Sequence, residues 1–254
     1  MKKWFPSIFP ALFITILMTA FFIFSNSSKI SLIHLGIYPL SAKGLLGIVL
    51  APFIHENANH LYSNIIPFFV LTILLFYFYK DIAYEILGFS WIMTGILVWL
   101  GARPAYHIGA SGVVYALMAF HVLSGMVRKN PRLLAISLLI VFFYGGMIWG
   151  IFPDFIPGRA ISWESHLAGT ITGSILAIYY RKEGPQRPLY SWELEPDEDD
   201  EDNEELQRIR DHDSPQPPRT GINKHHQSGD DHGHLQPGQG ERAEGDREGH
   251  DPER

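Results

Sequence analysis

The sequence predicts an all-helical membrane protein: six transmembrane helices in one bundle (residues 1–182), followed by a disordered acidic tail (residues 183–254). Three observations predict it. Charge is divided unevenly along the 254 residues: residues 1–182 hold 12 Lys+Arg and 5 Asp+Glu, net +7, and residues 183–254 hold 8 and 21, net −13, which sum to the overall −6. Seventeen charges among the first 182 residues is far below the about 25% typical of a soluble domain. The uncharged runs of that part are long: Trp4–Ser28, Asn57–Tyr79, Ile86–Ala102, Pro104–Val127, Leu133–Pro153 and Ser165–Tyr180. A membrane helix needs about 20 mostly apolar residues; four runs clear that, and the third and sixth reach it with flanking residues. Finally, stretches such as Phe68–Tyr79 and Leu133–Phe143 lack the polar stripe at 3.6-residue spacing that a soluble core helix carries.

The first run follows Met1-Lys2-Lys3, a start that resembles a signal peptide. Its apolar part, Phe5 to Phe24, exceeds the about 7–15 residues of such peptides, which favours a retained helix over a cleaved one. Next, Ser25–Asn59 is too long for a tight turn and too apolar for a free loop. Its pieces Ile30–Leu40 and Leu45–Ile54 are too short to cross, and are expected in the outer interface or dipping into it against protein. Spans two to six follow at short intervals. The Gly150–Ser162 connection, with Pro153, Pro157 and Gly158, is a candidate gate over whatever lies beneath. Phe76–Tyr79 and Tyr179-Tyr180 read as interface belts.

Orientation follows from Lys and Arg in short loops. With the N-terminus inside, Lys2, Lys3, Lys80, Arg128, Lys129, Arg132, Arg181, Lys182 and Arg187 are inside, and Lys29, Lys43, Arg103 and Arg159 outside. Nine against four places both termini in the cytoplasm, in a multi-pass protein of the cell membrane. From Glu183 the apolar content collapses into the acidic run Glu195–Glu205 and a remainder rich in Pro, Gly, Gln and His, a composition that cannot bury enough surface to offset ordering entropy. The tail's partners are not legible. Its His225, His226, His232 and His234 read as a solvated low-complexity segment rather than a metal site. The absence of cysteine excludes disulfides, cysteine-ligated zinc or iron–sulfur centres, and a cysteine nucleophile. Neither a cofactor nor a nucleic-acid partner is expected.

Polar side chains within a bilayer are costly, and each is a functional hypothesis. His60 and Asn64 open the second span, Ser111 the fourth and His166 the sixth. The even-numbered spans all run from outside to inside, so these residues share one depth, a turn or so below the outer surface. His60 and Asn64, four apart, share a helical face. His166, Gly169 and Gly173 lie on one stripe, and Gly109, Gly112 and Ala116 slim the start of the fourth span; small residues allow close helix approach. Ser111 is then within reach of the His166 imidazole, and Tyr115, one turn on, packs against that ring.

This constellation is that of an activated serine. A hydroxyl becomes a competent nucleophile when an adjacent base accepts its proton, and histidine titrates in the useful range. The oxyanion then needs donors, for which the His60 ring, the Asn64 amide and the Ser111 backbone N–H are candidates, with Gly109 beside them. No buried carboxylate offers itself as a third member, since Asp154 and Glu164 fall in or beside the outer loop. A Ser–His dyad is expected.

Gly109-Ala110-Ser111-Gly112-Val113-Val114-Tyr115-Ala116-Leu117-Met118, His55…His60-Leu61-Tyr62-Ser63-Asn64 and His166-Leu167-Ala168-Gly169 with Gly173 resemble, in order and spacing, the motifs of the rhomboid intramembrane serine proteases. The likeness covers roughly residues 5–180. It implies a six-helix fold whose site opens to water from the outer face. It also implies Ser111 as nucleophile, His166 as base, His60 and Asn64 as oxyanion-side groups, and as substrates other membrane-spanning segments, unwound near small or helix-breaking residues. The first outer loop lacks the Trp-Arg pair many members carry there.

Other readings are weaker. His55-Glu56-Asn57-Ala58-Asn59-His60 superficially matches H-E-x-x-H, but zinc needs histidines four apart on one face, and these are five apart, about 140° around a helix. His55 reads instead as a structural hydrogen-bonder at the loop–helix junction, His34 and His121 as packing or interfacial residues, and His107 as ambiguous. The main alternative to an enzyme is a catalytically silent rhomboid-like scaffold that binds membrane clients; a transporter is third, for want of an internal repeat.

Overall fold

The computed structural model describes residues 5–152, 162–189 and 198–213. The chain divides into two units, 1–195 and 196–254. The first holds helices α1 (Phe5–Ser28), α2 (Leu45–Leu50), α3 (Ala58–Phe78), α4 (Ala83–Gly101), α5 (Ser111–Val127), α6 (Pro131–Tyr144) and α7 (Trp163–Tyr179), with 3-10 turns between α1 and α3 and after α6 and α7; one of these, Gly145–Ile151, directly extends α6. Among the described residues the only extended pairing is an isolated antiparallel bridge between Ile37 and His107.

The expected six spans resolve less evenly than the runs suggested. α1, α3, α4 and α6 with its extension are long and apolar enough to cross a membrane. α5 and α7 have 17 residues each, about 26 Å at 1.5 Å per residue, short of the roughly 30 Å hydrocarbon core. The fourth uncharged run starts at Pro104, yet the helix starts only at Ser111, because Gly109 takes a left-handed φ of +97° that no helix accommodates.

Helix starts follow their caps. The Asn57 side chain accepts the His60 N–H at 2.9 Å and opens α3. Asn130 accepts from Arg132 and Leu133 before Pro131 at the head of α6, the position where proline's missing donor costs nothing. Ser162 caps α7.

α5 is the axis of the bundle and packs on α3, α4, α6 and α7. Its Val113, Val114, Leu117 and Phe120 meet Phe68, Leu71, Leu75 and Phe76 of α3, Ile86 of α4 and Leu176 of α7 in one core. α1 lies along α3. The α5–α7 contact is the tightest: a Cβ on Gly169 would strike the Gly112 carbonyl oxygen, and one on Gly173 the Ala116 carbonyl oxygen. At the far ends of these two helices the guanidinium of Arg128, 5% exposed, donates to the carbonyls of Tyr180, Arg181 and Glu183 and to Ser124 Oγ. It thereby caps the terminus of α7 with a cation, as the helix dipole favours.

The 29–57 segment, expected to be irregular, is laid against α4. Trp99 Nε1 donates to the Ser41 carbonyl at 2.9 Å and Trp91 Nε1 to that of Val49 at 3.2 Å, so indoles of α4 anchor this loop. The candidate gate falls, over 153–161, outside the described residues, and so do Asp154 and the tail histidines.

The second unit departs from the expected disorder over Glu198–Asp213, which forms α8. Failure to bury a core does not bar a local helix where Glu, Gln and Arg, all good helix formers, follow one another; Glu204 and Arg208 pair at 3.7 Å one turn apart.

Candidate active site

Ser111 is the first residue of α5. Its turn is set by Gly109-Ala110, and Ala110 supplies no side-chain cap. The first backbone bond of the helix runs from the Val114 N–H to the Ala110 carbonyl, so the N–H groups of the opening turn are the unsatisfied donors every helix start presents. Ser111 Oγ lies 2.9 Å from His166 Nε2. The helix pair that carries them is held at backbone contact by Gly112 and Gly169, which is why two residues 55 apart in sequence meet.

The imidazole of His166, 7% exposed, is held on three sides. Its Nδ1 is 2.9 Å from the Gly150 carbonyl oxygen. A carbonyl only accepts, so the proton sits on Nδ1 and the bare Nε2 faces the serine hydroxyl. The ring stacks on Tyr115 with centroids 4.2 Å apart and planes 7° from parallel. Tyr115 is fixed in turn, its hydroxyl donating to the Met147 carbonyl. No carboxylate takes part in these contacts: Glu164 pairs with Arg103 at 3.2 Å, and Asp154 lies outside the described residues.

His60 sits on the other side of the Ser111 turn. Its Nε2 would be 2.6 Å from a Cβ on Gly109, so the missing side chain is the space the ring occupies. This corrects the role expected of Gly109: its N–H is already donated to the Ala51 carbonyl at 2.8 Å, and it supplies the turn and the room for His60 rather than an oxyanion donor. Asn64 is 2% exposed; its Nδ2 donates to the His60 carbonyl at 2.7 Å, leaving one amide hydrogen uncommitted by that bond. His55, expected to hydrogen-bond at the junction, has the Phe53 main chain beside it and packs edge to face on His60 at 5.1 Å. Burial, and then the neighbouring His60, push its pKa down to about 4, so it is neutral.

Two features had no counterpart in the sequence reading. One is the Gly150 carbonyl, for which nothing but a small residue at that position hints. The other is a polar chain beside the site: buried His107 donates from Nε2 to the Arg103 carbonyl at 3.1 Å, accepts from Ser162 at 2.6 Å through Nδ1, and Ser162 reaches Ser165 Oγ at 2.6 Å. It ties the turn before Ser111 to the residue before His166. A histidine two residues before a glycine turn was a signal, but only the fold supplies its partners.

A family model, the rhomboid domain, matches residues 42–183, more than half of the chain and the part that contains both helices of the Ser111–His166 pair. The chain belongs to the rhomboid family. A protein of Mycobacterium tuberculosis described as uncharacterized is 33% identical over 158 residues, 60% of this chain and 65% of its own length. Another of Mycobacterium leprae is 33% identical over 164 residues, 62% and 64% of the two chains. A putative rhomboid protein of Acanthamoeba polyphaga mimivirus is 28% identical over 147 residues, 54% and 75%. The chain thus spans just under two thirds of the length of its mycobacterial relatives. Membership of the rhomboid family, with four helices long and apolar enough to cross a bilayer, makes this a multi-pass membrane protein.

Proposed function

We propose that this rhomboid is an intramembrane serine endopeptidase, cleaving transmembrane segments of other membrane proteins near the outer face of the cell membrane. The observation that carries the reading is the 2.9 Å approach of Ser111 Oγ to His166 Nε2, in a ring whose other nitrogen already has an acceptor. Ser111 attacks the scissile carbonyl while Nε2 takes its proton. The imidazolium returns that proton to the leaving amine. Water, deprotonated by the same nitrogen, then releases the acyl group from Ser111. The oxyanion is met by N–H groups of the first turn of α5, with His60 and the Asn64 amide beside it, since donors fixed in advance cost no reorganisation during reaction.

In this reading α5 and α7 cross along with the four longer helices. They begin beneath the outer surface, where a hydrated opening takes the place of lipid, and so need fewer residues. Both termini are cytoplasmic, in keeping with the loop cations.

The test compares the full chain with Ser111→Ala, using cleavage of a model transmembrane substrate and labelling by a serine-directed fluorophosphonate. Cleavage is expected to fall by at least about 10³-fold, and labelling to vanish, at unchanged melting temperature. Undiminished cleavage by the variant rejects the serine mechanism. A wild-type chain that neither labels nor cleaves, yet retains a membrane client, supports the silent scaffold instead.

A further inference from the structure

The two groups that orient the base come from one short segment outside the α5–α7 pair. Within Gly145–Ile151, the Met147 carbonyl takes the Tyr115 hydroxyl and the Gly150 carbonyl takes the Nδ1 proton of His166. That segment packs on α7, and at Gly150 it comes so near that a Cβ would strike the Tyr115 hydroxyl and stand 2.9 Å from His166 Nδ1. Four residues earlier, a Cβ on Gly146 would meet nothing within 4 Å. The helix it extends is the least buried of the long ones: only 11% of its most apolar stretch is covered by protein, against 28–44% for the other three.

We infer that the 3-10 extension of α6 is a latch on the base, with the Gly150 main-chain carbonyl as the positioning group that fills the place of the absent carboxylate. The inference rests on the serine-protease reading and adds a control to it. While the extension is seated, Nδ1–H is committed to Gly150, Nε2 keeps its lone pair toward Ser111, and Tyr115 cannot turn its face from the imidazole. When the extension lifts, both carbonyls leave together. The ring is then free to change tautomer or rotate, and Ser111 loses its proton acceptor. The activity of the site is thereby coupled to how the sparsely covered end of α6 sits, without any residue of α5 or α7 having to move.

The decisive measurement is made first on the wild-type chain: ¹⁵N spectra of histidine-labelled protein, with His166 assigned by comparison with His166→Ala. His166 is expected to carry its proton on Nδ1 with Nε2 bare; a proton on Nε2 overturns the latch. In Gly150→Ala, kcat is expected to fall at least about tenfold, out of the 10²–10⁴ a positioned base supplies, at a KM within about twofold of wild type. Gly146→Ala, in the same segment, stays at the wild-type rate. Tyr115→Phe removes the second arm, and the double variant is no slower than Gly150→Ala alone, because both arms hold one element. A Gly150→Ala enzyme with wild-type kcat, or two arms whose effects multiply, overturns it. Should Gly150→Ala fail to fold, the wild-type tautomer decides. Ser111→Ala, run alongside, separates the two readings: if it still cleaves, the protease reading fails; if it is inert while Gly150→Ala runs at full rate, only the latch does.

Discussion

α6 and α7 both lie against α5, α7 along its length and α6 closely only in its first half, where Gly125 faces Ser137 and the Leu133 carbonyl and Ser137 Oγ donates to the His121 carbonyl at 2.9 Å. α7 is sunk into α5 at backbone contact through Gly169 and Gly173, buries eight residues from Ser165 to Ala177, and has its far end clasped by Arg128. α6 buries only Leu133, Ser137 and Ile140 along its length, while Phe142 and Phe143 are 81% and 69% exposed. The proposed dyad is divided between the two helices packed at backbone contact through Gly112 and Gly169, and the carbonyls that face its base belong to the extension of the helix least covered by protein. In the latch inference, rigid placement of the reacting atoms and adjustable placement of their supports fall to different interfaces of the same central helix.

The largest effect that tests this division is expected from Gly169→Ala. One methyl group must enter the Gly112 carbonyl, which is backbone and cannot swing aside, so the helices separate. Overpacking of this kind costs about 1–3 kcal/mol, and a displacement of about 1 Å between Ser111 and His166 costs about 10²-fold in rate. Cleavage and fluorophosphonate labelling should both drop to that extent. A control at a glycine outside that contact, Gly145→Ala, brings a Cβ only to ordinary contact, 3.5 Å from Val141 of its own helix, and should leave both unchanged. Equal losses in the two variants would show that the α5–α7 contact has no special rigidity.

What the sequence discloses of this arrangement follows from which atoms do the work. Ser111, His166, His60 and Asn64 stand out because polar side chains in apolar runs are rare and their spacing puts them at one depth; the glycine stripe stands out because close approach requires an absent side chain. The Gly150 and Met147 carbonyls are invisible, since every residue has one and only the fold decides where it points. The part Gly109 plays beside the oxyanion candidates is hidden for the same reason: only the fold sets the Ala51 carbonyl opposite its N–H. Runs of uncharged residues overstate α5 because they register composition, not the left-handed backbone at Gly109 that delays the helix. Tail composition, in turn, speaks to tertiary burial and is silent on a local helix such as α8.

A middle-sized effect is expected at the other clasp. Arg128→Ala removes the donors that cap the carbonyls of Tyr180, Arg181 and Glu183, along with the cation 5.4 Å over the Tyr79 ring. Leaving acceptors unpaired costs about 1–3 kcal/mol, read as a melting temperature several degrees lower in detergent. Arg128→Lys should not restore it, because a single ammonium cannot reproduce the planar fork. Turnover per folded molecule should stay near wild type, as the clasp is at the far end from Ser111. A variant that melts normally but cleaves slowly would mean that the far ends of α5 and α7 do steer the site.

The smallest effect belongs to the open face of α6. Phe142→Ala and Phe143→Ala delete large side chains that touch little protein. In a soluble protein such truncations would gain from removing exposed apolar surface; in a bilayer, where lipid is as apolar as phenylalanine, they exchange one hydrocarbon contact for another. Melting temperature should therefore move within the scatter of ordinary surface substitutions, about 0.5 kcal/mol, against the far larger cost of one methyl group at Gly169. The informative readout is the rate. If α6 is held chiefly through its 3-10 extension, the two truncations leave kcat alone, since neither touches Met147 or Gly150. A fall in kcat with unchanged melting would instead mean that the exposed rings, two to three residues before the extension begins, help to seat it.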